Sequence, residues 1–186
     1  ESPAWPEFKA EGTFQVDAKV LVNALRRVEF SAAREKTRYA LNGVLVALSG
    51  NTVEWVATDG RRLALVRTES VSAPSGSGKA ILGLKMAGLI ERTFGEVEGP
   101  VSFSFDKRFC RVEGGGMDVL GRLVEGVYPD YRNVIPKELP EKLKVRAADL
   151  ERAIRKATLV TSATAGSIGW KLAKGSLEVT GQSAEE

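Results

Sequence analysis

A chain of 186 residues exceeds one ordinary domain of about 100–150 residues without reaching two, so one full domain and part of a second are expected. It is 43% hydrophobic and 27% charged, which excludes a disordered, collagen-like or membrane-embedded chain, and no apolar run approaches the roughly 20 residues that span a bilayer. With no histidine and one cysteine, the commonest general base, the usual protease dyads, nearly all zinc sites and any intramolecular disulfide are excluded, and a net charge of +3 is too small to name a partner.

ESPAWPE at 1–7 carries two prolines and reads as a linker from something longer. FQVDAKVLVNALRRV then opens as a strand. Asp17 is placed to cap a helix over 17–28, with Leu21, Ala24, Leu25 and Val28 on one face and Lys19, Asn23, Arg26 and Arg27 on the other. After an irregular stretch, LNGVLVAL at 41–48, TVEWVAT at 52–58 and RLALVR at 62–67 read as strands, turned at Ser49-Gly50-Asn51 and Asp59-Gly60. SAPSGSGK at 72–79 reads as a loop. LKMAGLIERTF at 84–94 fits a second helix, with Met86, Leu89, Ile90 and Phe94 inward and Lys85 and Arg92 outward. Strands are expected at 101–105, 109–113 and 118–125, with glycines 114–116 as a turn and Cys110 as a buried structural thiol. EGVYPDYRNVIPKELPEK at 125–142, with three prolines, leads out of the first domain.

Beyond those prolines the chain repeats itself. LKVRAADLERAIRKA at 143–157 matches FQVDAKVLVNALRRV at 14–28, Val145 standing for Val16, Ala147 for Ala18, Leu150 for Leu21, Ala153 for Ala24 and Arg155 for Arg26. KGSLEVTG near Gly175 likewise resembles GNTVEWVAT. This offset is too long for a solenoid, so a duplicated domain is expected, with a strand before its helix and a break after its first hairpin. All three helices place cations opposite their apolar stripe, the third through Arg152, Arg155 and Lys156. Basic faces shared across two repeats suit backbone phosphate, and without a helix-turn-helix, zinc finger or aromatic platform the contact expected is sequence-independent.

FSAAREKTRYALNGVLV at 30–46, VATDGRRLALV at 56–66 and VEGVYPDYRNVIP at 124–136 resemble, in that order and spacing, the middle domain of the bacterial DNA polymerase III beta subunit, the sliding-clamp family. The resemblance implies an α+β DNA-clamp fold of duplicated domains, with antiparallel sheets outside and helices lining a DNA-facing surface. It puts the middle domain at 8–140 and a partial C-terminal domain at 141–186. It implies a non-catalytic processivity factor without cofactor or metal, a ring of two head-to-tail protomers around duplex DNA. Such a ring tethers the replicative polymerase and receives the clamp loader and repair polymerases through short peptide motifs. A cytoplasmic homodimer with no membrane contact is therefore expected of the full-length protein.

Two sites carry over by position. Arg34, Lys36, Arg38 and Tyr39 match or replace polar residues that touch DNA in the family, and Lys85 on the basic face of the second helix is expected to join them, while Glu35 and Ala40 stand where a neutral polar residue and an aromatic can occur. Leu41, Thr58, Gly60, Arg61, Arg62, Leu63, Pro129 and Val134 match the partner-peptide pocket, Arg61 departing from the polar residue of some relatives. Two other readings stay open on the residues alone: a DNA-binding module that does not encircle, and a carboxylate-based metal-dependent enzyme using Asp59, Asp118 and Asp130. All three aspartates fall in turn-like sequence, where local hydrogen bonding also accounts for them.

Overall fold

The computed structural model describes residues 6–35, 39–138, 143–161 and 167–181. Its chain contacts divide into two compact units, Glu1–Ile135 and Pro136–Glu186. The boundary at 140 that the resemblance implies falls within residues 139–142, which lie outside the described set.

Two antiparallel sheets build the first unit. One is five-stranded, with strand order β5, β1, β7, β8, β9. Its members are β1 (Gly12–Asp17), β5 (Ser75–Gly76), β7 (Pro100–Phe105), β8 (Phe109–Gly114) and β9 (Met117–Arg122). The other is four-stranded, β4, β3, β2, β6. It comprises β2 (Gly43–Ser49), β3 (Thr52–Thr58), β4 (Leu63–Glu69) and β6 (Gly78–Gly83). Two helices join them, α1 (Ala18–Val28) and α2 (Leu84–Phe94). Asp17 caps α1, its carboxylate accepting from the N–H groups of Lys19 at 2.9 Å and Val20 at 3.4 Å.

The core lies between the helices and the sheets. Leu21, Leu25 and Val28 of α1 and Ile90 and Phe94 of α2 meet Val44, Val46 and Leu48 of β2, Trp55 of β3 and Phe14 and Phe103 of the other sheet. Phe14 and Phe103 stack at 5.1 Å, and the Trp55 ring stands edge-on to both at 5.9 Å. Each such side chain, fully buried, contributes about 1.5–3 kcal/mol of transfer free energy. Cys110 is buried here too, and burial pushes its thiol up to about 12, leaving it an unreactive packing group.

The four-stranded sheet is apolar on its second face as well. Leu45, Ala47, Val56 and Ile81 alternate with the core-facing residues and lie beneath Tyr128 and Tyr131. Burial on both sides explains why GVLVAL reads as a continuous apolar run rather than an alternating one. The proline-rich segment thus covers a sheet face as well as leading out of the unit.

Three expectations change. Residues 78–83, expected as loop at 78–79 and given no element at 80–83, form β6, which pairs with β2 from Gly43–Gly83 to Leu48–Gly78. The inward face of α2 uses Ala87, while Leu89 is exposed. In the second unit α3 (Ala147–Thr158) and the hairpin β10 (Ile168–Ala173) with β11 (Ser176–Gly181) form as expected. The stretch 143–146 before α3 is not a strand, and among the described residues it pairs with no ladder as β1 does with β7.

Candidate docking groove and basic helix face

The turn between β3 and β4 is held by its own side chains. Thr58 Oγ1 accepts from the Gly60 N–H at 3.0 Å and donates to the Arg62 carbonyl at 2.6 Å. Asp59 Oδ1 accepts the N–H groups of Arg61 and Arg62 at 2.9 and 3.0 Å, and its Oδ2 accepts from Arg62 Nε at 3.1 Å. The two backbone donors first, and the Arg62 charge after them, hold the Asp59 carboxyl below its ordinary range. Gly60, at φ 88°, occupies the left-handed conformation that a side chain would strain. Arg62 also lies over the Phe30 ring, 5.9 Å from its centre.

A second wall comes from the proline-rich segment. Asp130 caps a single 3-10 turn at Tyr131–Val134, its carboxylate accepting from the Arg132 N–H at 3.2 Å and Asn133 Nδ2 at 2.9 Å. Tyr128 donates to the Val56 carbonyl at 3.4 Å. Beneath the turn sits Glu54, a buried carboxylate in the middle of β3. It accepts from Tyr131 Oη and Arg132 Nη2 on one oxygen and from Arg67 Nε at 2.9 Å on the other. Burial pushes Glu54 up, but the Tyr131 and Arg67 hydrogen bonds and the two guanidinium charges outweigh it and leave the carboxyl below its usual range. Burial, and then the Glu54 contact, raise the Tyr131 phenol to about 12. Glu54 therefore pins the 3-10 turn to β3 and β4.

Between these walls opens a cavity of about 420 Å³ lined by all eight residues carried over for the pocket. Leu41, Leu63, Pro129 and Val134 make it apolar, while Thr58, Gly60, Arg61 and Arg62 supply the rim. Asp130 and Tyr131 also line it. The sequence did not mark these two as pocket residues, Asp130 being read only as a candidate carboxylate, nor the Glu54 that anchors the turn. A lone charge inside the apolar strand TVEWVAT was the available signal.

The expected DNA-facing residues are less concentrated. Arg34 is exposed in coil and Lys85 is exposed on the first turn of α2. Lys36 and Arg38 lie outside the described residues. Tyr39 begins a short 3-10 turn, and its side chain also lies outside the described set. The cationic face of α1 is partly neutralised: Lys19 pairs with Glu98 at 3.0 Å and Arg26 with Glu91 at 3.1 Å. Arg27, Lys85 and Arg92 have no ion pair among the described residues. In the second unit, Arg152 and Arg155 pair with Asp149 and Glu151 at 2.5 and 2.7 Å.

Glu29 follows α1 and has its carboxyl raised, first by burial and then by the neighbouring Glu91 charge. Glu91 Oε1 is buried without a donor, and a protonated Glu29 can supply one. Asp59, Asp118 and Asp130 are separately engaged. Asp118 sits in β9 against Arg111 at 2.6 Å, while the other two cap their own turns. No group of three metal-ligating side chains gathers among the described residues.

The family profile described as DNA polymerase III beta subunit, central domain, matches residues 15–130. The beta sliding clamp of Chlamydia muridarum is 30% identical over 178 residues, covering 96% of this chain and 48% of its own length. That of Vibrio cholerae is 25% identical over 184 residues, covering 99% of this chain and 50% of its own. A DnaN sliding clamp from Pseudomonas aeruginosa superposes with a TM-score of 0.90 at 26% identity, over 98% of this chain and 49% of that one. The chain thus spans about half the length of the relatives it matches.

Proposed function

The chain belongs to the DNA polymerase III beta subunit family, and on that premise we propose that it is a section of a ring-shaped processivity factor that surrounds duplex DNA and tethers a replicative polymerase. In this reading residues 8–140 are the central domain and 141–186 the opening of the next. The ring is a cytoplasmic homodimer, and it meets the polymerase, a clamp loader and repair polymerases through short peptides. Its work is mechanical and no bond is made or broken. Arg34, Lys36, Arg38, Tyr39 and Lys85 contact backbone phosphate, joined by Arg27 of α1 and Arg92 of α2, and sequence-independent charge contact lets the ring slide.

The observation that carries the docking part is the cavity between the Asp59-Gly60 turn and the Tyr131–Val134 turn. Both walls are set by internal hydrogen bonds before any partner arrives, so a peptide does not bear the cost of ordering them. An apolar side chain from that peptide displaces water from Leu41, Leu63, Pro129 and Val134, while the polar rim orients its backbone.

The test is a polarisation titration with a labelled peptide of the Gln-Leu-x-Leu-Phe kind. Saturable binding is expected, and Leu63→Ala is expected to weaken it about five- to tenfold through lost apolar contact. Binding unchanged by Leu63→Ala overturns this placement of the pocket.

A further inference from the structure

A second cavity, of about 290 Å³, lies between residues 32–35 and the same Asp59–Arg62 turn. Gly60, Arg61 and Arg62 line both cavities, so the turn is a shared wall. The two differ in chemistry. The first is lined by leucines, proline and valine; the second holds three guanidinium groups, those of Arg34, Arg61 and Arg62, and no large apolar side chain.

Its charges do not cancel. Asp59 is occupied by two backbone N–H groups and by Arg62, so that acid and that base answer each other. Arg34 and Arg61 have no ion pair among the described residues, Arg34 acting on Glu29 through charge alone. Among the described residues, Glu35 is the acid left to face them in the cavity wall.

We propose that this polar cavity is an anion-binding annex of the docking groove, selecting partner peptides that carry an Asp or Glu beside their apolar anchor. The proposal rests on the docking reading above. An extended peptide advances about 3.3–3.6 Å per residue, so a chain seating an apolar side chain in one cavity carries its near neighbours over the shared wall. A guanidinium presents paired donors to a planar carboxylate, and Arg61 lines both sides of that wall. The adjoining apolar cavity favours a peptide over DNA backbone, since a phosphate has nothing to place in it.

The experiment is polarisation on the full chain with three labelled peptides sharing one apolar anchor and differing in a flanking Asp, Asn or Lys. At low salt the Asp peptide is expected to bind about three- to fivefold more tightly than the Asn peptide, with the preference fading as salt screens it. Arg61→Ala should bring that ratio to one, and Arg61→Glu should turn it toward Lys. Asp59 accepts the backbone N–H of Arg61, a bond that both variants keep. Equal wild-type affinities for Asp and Asn, or a preference that the Arg61 variants retain, overturn the annex and leave docking intact. Binding of none of the three peptides overturns the docking reading and the annex with it. If Arg61→Ala instead weakens binding of a short DNA duplex and no peptide preference exists, the cavity belongs to backbone phosphate.

Discussion

Residues 147–181 repeat the helix and hairpin pattern found between residue 18 and residue 58, yet the two regions bury very different amounts. Along α1, Ala18, Leu21, Val22, Ala24, Leu25 and Val28 are buried, whereas α3 buries Ala157 alone. Trp55 in β3 is fully enclosed, while Trp170 in β10 is 48% exposed and Leu172 60%. An amphipathic pattern states only which face can be buried. In the first unit a second helix and two sheets stand opposite that face. In the second, α3 packs on a two-stranded sheet, and a hairpin of that size supplies little on its own.

Amide exchange gives the largest contrast. Protection in β2, β3 and α1 is expected to exceed that in β10 and β11 by about a thousandfold or more in the 186-residue chain, because the former open only with their core. Comparable protection in the two regions would undo the contrast. Paired substitutions test it side chain by side chain: Leu21→Ala should cost about 3 kcal/mol, and Leu150→Ala, its counterpart in the repeat, under about 1 kcal/mol in chemical denaturation.

Smaller effects probe the first unit from inside. Glu54→Gln removes a charge from beneath the Tyr131–Val134 turn and is expected to cost about 1–2 kcal/mol, since both arginines stay half exposed and can rehydrate. Because the folded carboxyl is held below its usual range, the stability it adds is present above the ordinary glutamate pKa and is lost as pH falls through the folded value. The wild type should therefore approach the variant in acid, which melting curves at several pH values will show. Glu29 runs the other way. Its folded pKa is raised, so its favourable contribution is complete below the unfolded pKa and disappears as pH rises through the folded one. Glu29→Gln is accordingly expected to raise the melting temperature by about one or two degrees at about pH 7 and by nothing near pH 4. A variant that melts lower at neutral pH would contradict the pairing of Glu29 with Glu91.

The site was legible in proportion to how local its chemistry is. Thr58, Asp59 and Gly60 announce a turn within three residues, and Tyr128 to Val134 announce a rigid proline-containing segment, so both walls could be read from sequence. Glu54 lies more than 70 positions from Tyr131 and Arg132, and no periodicity links them. β6 escaped notice for a related reason. Its glycine-flanked KAIL segment has weak strand character of its own, and pairing along β2 makes it one.

Helices, turns, apolar stripes and the family resemblance were all present in the chain as written, because helix periodicity, capping and glycine turns depend on neighbours a few residues away. Folding in three dimensions settled the rest: which cations remain unpaired among the described residues, that Glu54 anchors the Tyr131–Val134 turn, and that one repeat closes a core while the other leaves its faces open. Those outcomes depend on which distant surfaces meet, and solvation and pairing free energies are set at the meeting.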